Sequence, residues 1–315
     1  WISLGHYETA RLGGWRSYVS DKKFFLAADG NEHPDRDLAA HVPALSAPAS
    51  AGEQHAQCVY PARTRWLKAQ LQLTDLPALD CAEFKQWFKE VSPHSAVMIF
   101  PAAYLNSPSS MFGHTLLRLD SGAADGGAEY LSFAANFGAL VTPGDNSLFY
   151  AFRGLTGGYR GQFEVDQYYK KIREYNHGEN RDIWEYPLNL SAEETGRLVE
   201  HLWELRKINF AYYFFDENCS YRILELLEVA RPGLDLTSGF PLTAIPIDTV
   251  RAVQHAGLGR DKHFRPAQGT VLKQRLDDMP PELYPLVIEV SADPGRLDSA
   301  GVRALDPVLR ARLIE

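Results

Sequence analysis

At 315 residues, with 45% hydrophobic and 23% charged side chains, the chain is long enough for one large or two intimate domains and apolar enough for a substantial core, which excludes a disordered or fibrous protein. A formal net charge of −8 without any basic stripe excludes a dedicated nucleic-acid binder, because neutralising phosphates takes clustered Lys and Arg. The best apolar run, Ser95 to Leu105, is broken by Pro101 and is far short of the roughly 20 residues of a membrane span.

In chain order, the N-terminal region reads as helices and loops. Helical spacing places Trp66, Leu67 and Leu71 on one face of Arg63–Leu73, and Phe84, Trp87 and Phe88 on one face of Cys81–Val91. The Ala/Ser/Pro-rich stretch from His41 to Gly52 reads as a surface loop. Cys58 and Cys81 flank the first of these helices, 23 positions apart, and Cys219 stands elsewhere. The count leaves two readings open: a disulfide plus one odd thiol in an oxidising compartment, or three buried reduced cysteines.

The middle of the chain turns to strands. Ser95–Phe100 is a short buried one. His114–Leu119 and Tyr130–Asn136, joined by the Gly- and Asp-rich segment 120–127, form an expected antiparallel hairpin. Gln162–Val165 and Asp182–Leu188 are further strands. A helix over Ala192–Arg206 opens with Ser191 as N-cap and Glu194 three residues on, a capping box. The next helix runs from Cys219 to Ala230 and stops at Pro232-Gly233. The remainder returns to helices and Pro-rich connections. The layout is α+β around an antiparallel sheet. Because the chain opens on Trp1 and ends inside the helical pattern Pro307–Glu315, it is expected to be a processed part of a longer protein.

Two segments carry candidate chemistry. In Phe214-Phe215-Asp216-Glu217-Asn218-Cys219, Asp216 or Asn218 supplies the N-cap, so Cys219 falls in the first helical turn. There the unpaired amides and the positive end of the dipole favour a thiolate and offer a donor to an oxyanion. The competing reading is a structural cysteine packed beside Ile223 and Leu226. The second segment is the polar loop from Asn106 that ends in Gly113-His114. It presents an imidazole at a strand end, where the alternative is a satisfied core histidine. A turn centred near Ala123 to Asp125 places Ala135 or Asn136 opposite His114, and Asn136 would then fix the imidazole tautomer. Ser109 and Ser110 lack a helix-terminus context. No Gly-x-Ser-x-Gly elbow, phosphate loop or Rossmann glycine pattern occurs. No two histidines stand three to five residues apart, so neither a metal site nor a cofactor is expected. The aromatics Phe210, Tyr212, Tyr213, Phe214 and Phe215 read as core and cleft wall, with a lipid-chain groove as the sharper alternative.

The blocks Tyr104–Thr115, Gly157–Tyr159, Arg181–Tyr186 and Tyr213–Arg222 together resemble a bacterial family named for the N-terminal periplasmic domain of Lnb, a lipoprotein N-acyltransferase. The resemblance spans roughly residues 90 to 260. That family is similar to the circularly permuted papain-like arrangement of lecithin:retinol acyltransferase, in which a strand His precedes a helix-borne Cys, the order of His114 and Cys219 here. The resemblance implies a periplasmic, NlpC-type core over residues 93–260, an accessory helical region over 1–92, and a helical extension over 261–315 leading to a membrane-associated portion. It implies acyl transfer from a phospholipid through a Cys219 thioester to an amine, a lipoprotein N-terminus in the family, near a membrane surface. It carries over Cys219 and His114 as catalytic; on the hairpin reading Asn136 joins them, Asn218, Tyr104 and Asn106 are expected to face substrate or oxyanion, and Cys58–Cys81 is expected to be a disulfide, as suits a periplasmic fold. The competing readings are an NlpC-type cysteine amidase acting on cell-wall peptide and a non-catalytic envelope scaffold.

Overall fold

The computed structural model describes residues 1–10, 13–105, 110–122, 128–140 and 147–314. They divide into two compact units, residues 1–265 and 266–315. The first opens with a small hairpin, β1 (Tyr7–Thr9) and β2 (Trp15–Ser17), followed by α1 (Pro34–Leu45), α2 (Ala56–Val59), α3 (Pro61–Leu71) and α4 (Ala82–Val91). The stretch read as a loop from His41 is helical to Leu45, with Pro43 inside the helix. A 3-10 segment follows over Ala49–Gln54.

The centre is an antiparallel sheet of β3 (Ser95–Pro101), β4 (Leu116–Asp120), β5 (Phe133–Leu140), β6 (Tyr159–Gln167), β7 (Ile183–Pro187), β8 (Phe210–Tyr212) and β9 (His263–Arg265). Among the described residues the seven strands lie in the order β8-β6-β5-β4-β3-β7-β9. Between them run α5 (Ser147–Thr156), α6 (Tyr168–Ile172), α7 (Ala192–Glu204), α8 (Cys219–Ala230) and α9 (Pro246–His255). The capping box forms as read: Glu194 N–H donates to Ser191 Oγ at 3.1 Å, and Ser191 N–H to the Glu194 carboxylate at 2.8 Å.

The pleat sorts the side chains. Ala96, Met98, Phe100, Leu117, Leu119, Ala135 and Phe137 share a core with Leu198, Leu202, Ile223 and Leu227 of α7 and α8. Val97, Ile99, Leu116 and Ala134 share another with Tyr168, Ile172 and Tyr175. Strands buried on both faces carry near-continuous apolar runs, which is why β3 reads as one. Each fully buried Leu, Ile or Phe contributes roughly 1.5–3 kcal/mol.

The hairpin register differs from expectation. Ala135 pairs with Leu117, Ala134 with Arg118 and Phe133 with Leu119, so the partner of Ala135 lies three residues beyond His114. A 3-10 turn over Ala128–Leu131 takes up residues assigned to the second strand and slides the pairing. The expected turn centre, Ala123 to Asp125, lies outside the described residues.

Cys58 and Cys81 are disulfide-bonded with Cα atoms 5.1 Å apart, and Cys219 is free and buried. The bond ties α2 to the start of α4, beside Trp203, whose indole N–H donates to Cys58 O at 2.8 Å. Replacing both cysteines by alanine is expected to lower stability by roughly 3 kcal/mol, the denatured-state entropy of a loop this size. The measurement is the urea midpoint at unchanged slope; an unmoved midpoint would mean that packing alone holds the segment.

The second unit contains α10 (Gln268–Asp277), α11 (Tyr284–Ala292), α12 (Ala300–Arg303) and α13 (Pro307–Ile314). Among the described residues no helix is long and apolar enough to cross a membrane.

Candidate active site

Asn218 builds the start of α8. Its Oδ1 accepts from the amides of Ser220 at 3.0 Å and Tyr221 at 3.3 Å and from the Ser220 hydroxyl at 2.7 Å. Its Nδ2 donates to Phe214 O at 3.1 Å and Ala244 O at 2.8 Å. The buried side chain is spent on the chain itself, clamping the 213–218 loop and fixing the first turn of the helix.

Cys219 is the first residue of α8 and only 2% exposed. The backbone amides of Thr115, Ser220 and Cys219 and the Tyr212 hydroxyl favour the thiolate electrostatically. Burial opposes them and wins, pushing the thiol up to about 11. The expectation of a thiolate at this helix start is therefore corrected: the amides favour the charge, but its desolvation outweighs them. One of those amides is that of Thr115, the chain neighbour of His114.

His114 enters from Gly113, whose φ of +94° is in the left-handed region. A Cβ there would lie 2.6 Å from the Phe100 ring, so both the backbone conformation and the close approach require glycine. The His114 Nε2 is 2.6 Å from Asn136 Oδ1. With the amide oxygen accepting, Nε2 carries the proton and Nδ1 is the basic nitrogen. Burial lowers the imidazole to about 4; the Asn136 bond pulls the other way, and the charges of Arg181 and Lys171 add to the lowering. At neutral pH the site therefore holds a neutral thiol and a neutral imidazole.

A supporting shell was not legible as such in the sequence. The Tyr175 ring lies 5.8 Å from the His114 ring, and the Arg181 guanidinium sits 4.9 Å from the Tyr175 ring. Arg181 also donates to Ala102 O at 2.6 Å and Pro101 O at 3.2 Å, the second being the carbonyl that accepts from His114 N–H at 3.3 Å. Tyr104 is half-buried, its amide donating to Ser110 O at 2.9 Å, with Arg181 5.9 Å from its ring. Asn106 lies outside the described residues.

Beside the sulfur is a small apolar cavity of about 10 Å³, walled by Phe112, Phe214, Phe215, Ile245 and Pro246, with room for about one water. The rings of Phe112 and Phe215 meet edge-on at 5.6 Å, and both are partly exposed, at 42% and 37%.

A family model described as the Lnb N-terminal periplasmic domain matches residues 83–256, which include Cys219, His114 and Asn136. A second, described as a domain of unknown function (DUF7843), matches residues 1–70. No curated protein and no solved structure matches the chain.

Proposed function

The chain belongs to the Lnb N-terminal periplasmic domain family, and from that membership we propose that it is a cysteine-dependent acyltransferase of the bacterial envelope. In this reading residues 93–260 form a permuted papain-like catalytic part, with residues 1–92 and 261–315 as accessory regions in the periplasm. The observation that supports it is Cys219 at the first position of α8, its thiol acted on by the Thr115 amide, with the neighbouring His114 hydrogen-bonded through Nε2 to Asn136.

The chemistry starts from the neutral pair. As the sulfur attacks the ester carbonyl of a phospholipid, its proton passes to His114 Nδ1, so no buried charge exists before the transition state. The Cys219 amide, at the start of α8, stabilises the carbonyl oxygen as it becomes an oxyanion. Collapse breaks the ester C–O bond, leaves the acyl group on sulfur as a thioester, and His114 returns its proton to the departing lysophospholipid alcohol. An amine then attacks the thioester, His114 takes the amine proton, and the thiol is regenerated as the amide forms. A lipoprotein N-terminus is the acceptor suggested by the family's namesake. The apolar walls favour a fatty chain over the carboxylate-bearing peptide of a cell-wall amidase. At about 10 Å³ the cavity admits such a chain only if Phe112 and Phe215 move aside.

The burial of Cys219 favours one competing reading, a non-catalytic scaffold. Intact-mass measurement after incubation with phospholipid vesicles separates the two. A mass gain of one acyl group on Cys219, reversed by hydroxylamine, is expected; an unmodified chain under conditions that unmask the thiol to alkylation would support the scaffold.

A further inference from the structure

Between the N-terminal hairpin and α8 lies a cavity of about 940 Å³, a volume typical of small-molecule sites. It shares no lining residue with the Cys219 cavity. Its walls carry the carboxylates of Glu8, Asp216, Glu225 and Glu228 beside the rings of Trp15, Tyr18 and Tyr221.

The charges do not balance. Arg16 answers Glu8, with Nε 3.1 Å from Oε1, and Arg222 answers Glu225 at 2.7 Å. Among the described residues no cation pairs with Glu228; its Oε1 accepts from the amides of Leu236 and Thr237 at 2.7 Å each. Among the described residues no side chain hydrogen-bonds the Asp216 carboxylate, which feels Arg222 and Arg16 only through their charges. Burial raises both groups, outweighing the amides on Glu228 and the guanidinium charges on Asp216. Carboxylates without an ion-paired side chain, set beside aromatic faces, are the setting that attracts a cation with hydrocarbon attached, since the rings contribute through their quadrupole and the carboxylates through charge. Calcium or magnesium asks for six or more oxygens, and among the described residues no cluster suits a metal ion.

We propose that this cavity binds an organic ammonium cation, its charge held by Asp216 and Glu228 and its carbon skeleton laid against Trp15 and Tyr18. The test is isothermal titration of the full chain with cadaverine at fixed ionic strength, with glucose as a neutral ligand that also uses aromatic and carboxylate contacts. Phosphoethanolamine and a lysine-containing peptide form further arms, which distinguish a headgroup from a side chain as the source of the amine. Saturable binding of cadaverine to one site is expected, weakened about ten-fold in Asp216→Asn and again in Trp15→Ala, as when one contact worth a factor of ten is lost. Cys219→Ser should bind as the parent does, which keeps this result independent of the acyl-transfer reading. Asp216→Asn preserves shape and breaks no side-chain bond, and circular dichroism checks that it folds. Absence of saturable binding, equal binding by Asp216→Asn, or equal binding of glucose would overturn the proposal.

Discussion

Cys219→Ser and His114→Ala are each expected to abolish the acyl adduct, with transfer falling roughly 10⁴-fold or more and the double variant little worse than either single one, because nucleophile and base act as a unit. A serine hydroxyl is nearly isosteric but a far poorer nucleophile. Removing the imidazole strands a buried Asn136 without its partner and costs about 1–3 kcal/mol, so folding is confirmed separately by circular dichroism and thermal melting. The resting protonation state gives a second readout. With the thiol pushed to about 11 and the imidazole lowered to about 4, the iodoacetamide rate should climb about ten-fold per pH unit through neutrality as the thiolate fraction grows. A preformed thiolate–imidazolium pair would instead show a plateau from mildly acidic pH upward. If His114→Ala still gains the acyl group as fast as the parent, His114 does not act on the sulfur as its base; if neither protein gains it while the thiol can be alkylated, the scaffold reading becomes the better one.

Local signals in the sequence carried the fold where the structure is local. The Ser191/Glu194 box sets the start of α7, and Asn218 with the Pro232-Gly233 stop sets both ends of α8, Cys219 to Ala230 as expected. Pairings decided at a distance were less legible. β8 is three residues long within an aromatic run and reads as core because its only strand signal is its partner β6. The hairpin register slid because a 3-10 turn consumes residues with no strong turn signature. The contact of His114 with Asn136 survives that slide because a long side chain reaches a diagonal neighbour as well as a direct one. The protonation states were out of reach altogether: a helix start can be read from four residues, but the burial that outweighs it comes from strands, loops and helices far apart in the chain. The same holds for residues 1–70. They are locked to the rest by buried contacts of long separation, His6 Nε2 to His201 Nε2 at 2.9 Å and the Arg63 amide to Glu204 Oε1 at 2.9 Å, which no local pattern announces.

The largest stability effect is expected at Arg222, one turn into the helix that carries Cys219. Its side chain is fully buried. Nη1 donates to Glu225 Oε2 at 2.7 Å and Nη2 to Glu217 Oε2 at 2.6 Å, while Cζ sits 4.6 Å from the Tyr18 ring and 4.8 Å from the Phe210 ring. One guanidinium thus serves two carboxylates, and they share it unequally. Glu225, which also faces His6 at 3.2 Å, is held down at about 2 despite its burial. Glu217 is pushed up to about 7, because burial and the neighbouring Glu225 and Asp216 charges outweigh its share of Arg222. Arg222→Met keeps most of the volume but leaves Glu225 ionised in the interior, and should cost roughly 3–5 kcal/mol. Arg222→Met/Glu225→Gln removes both charges and should recover part of that loss. The pH dependence has a definite sign. A carboxyl depressed from 4.5 to about 2 contributes stability that is present above its unfolded value and lost as pH falls through the folded one. Without Arg222 that group protonates at higher pH, so the gap between parent and Arg222→Met should be widest near neutrality and narrow as the solution is acidified. Urea titrations across that range measure it. A gap that stays constant with pH would mean that Arg222 holds α8 by packing against Tyr18 and Phe210 rather than by its charge.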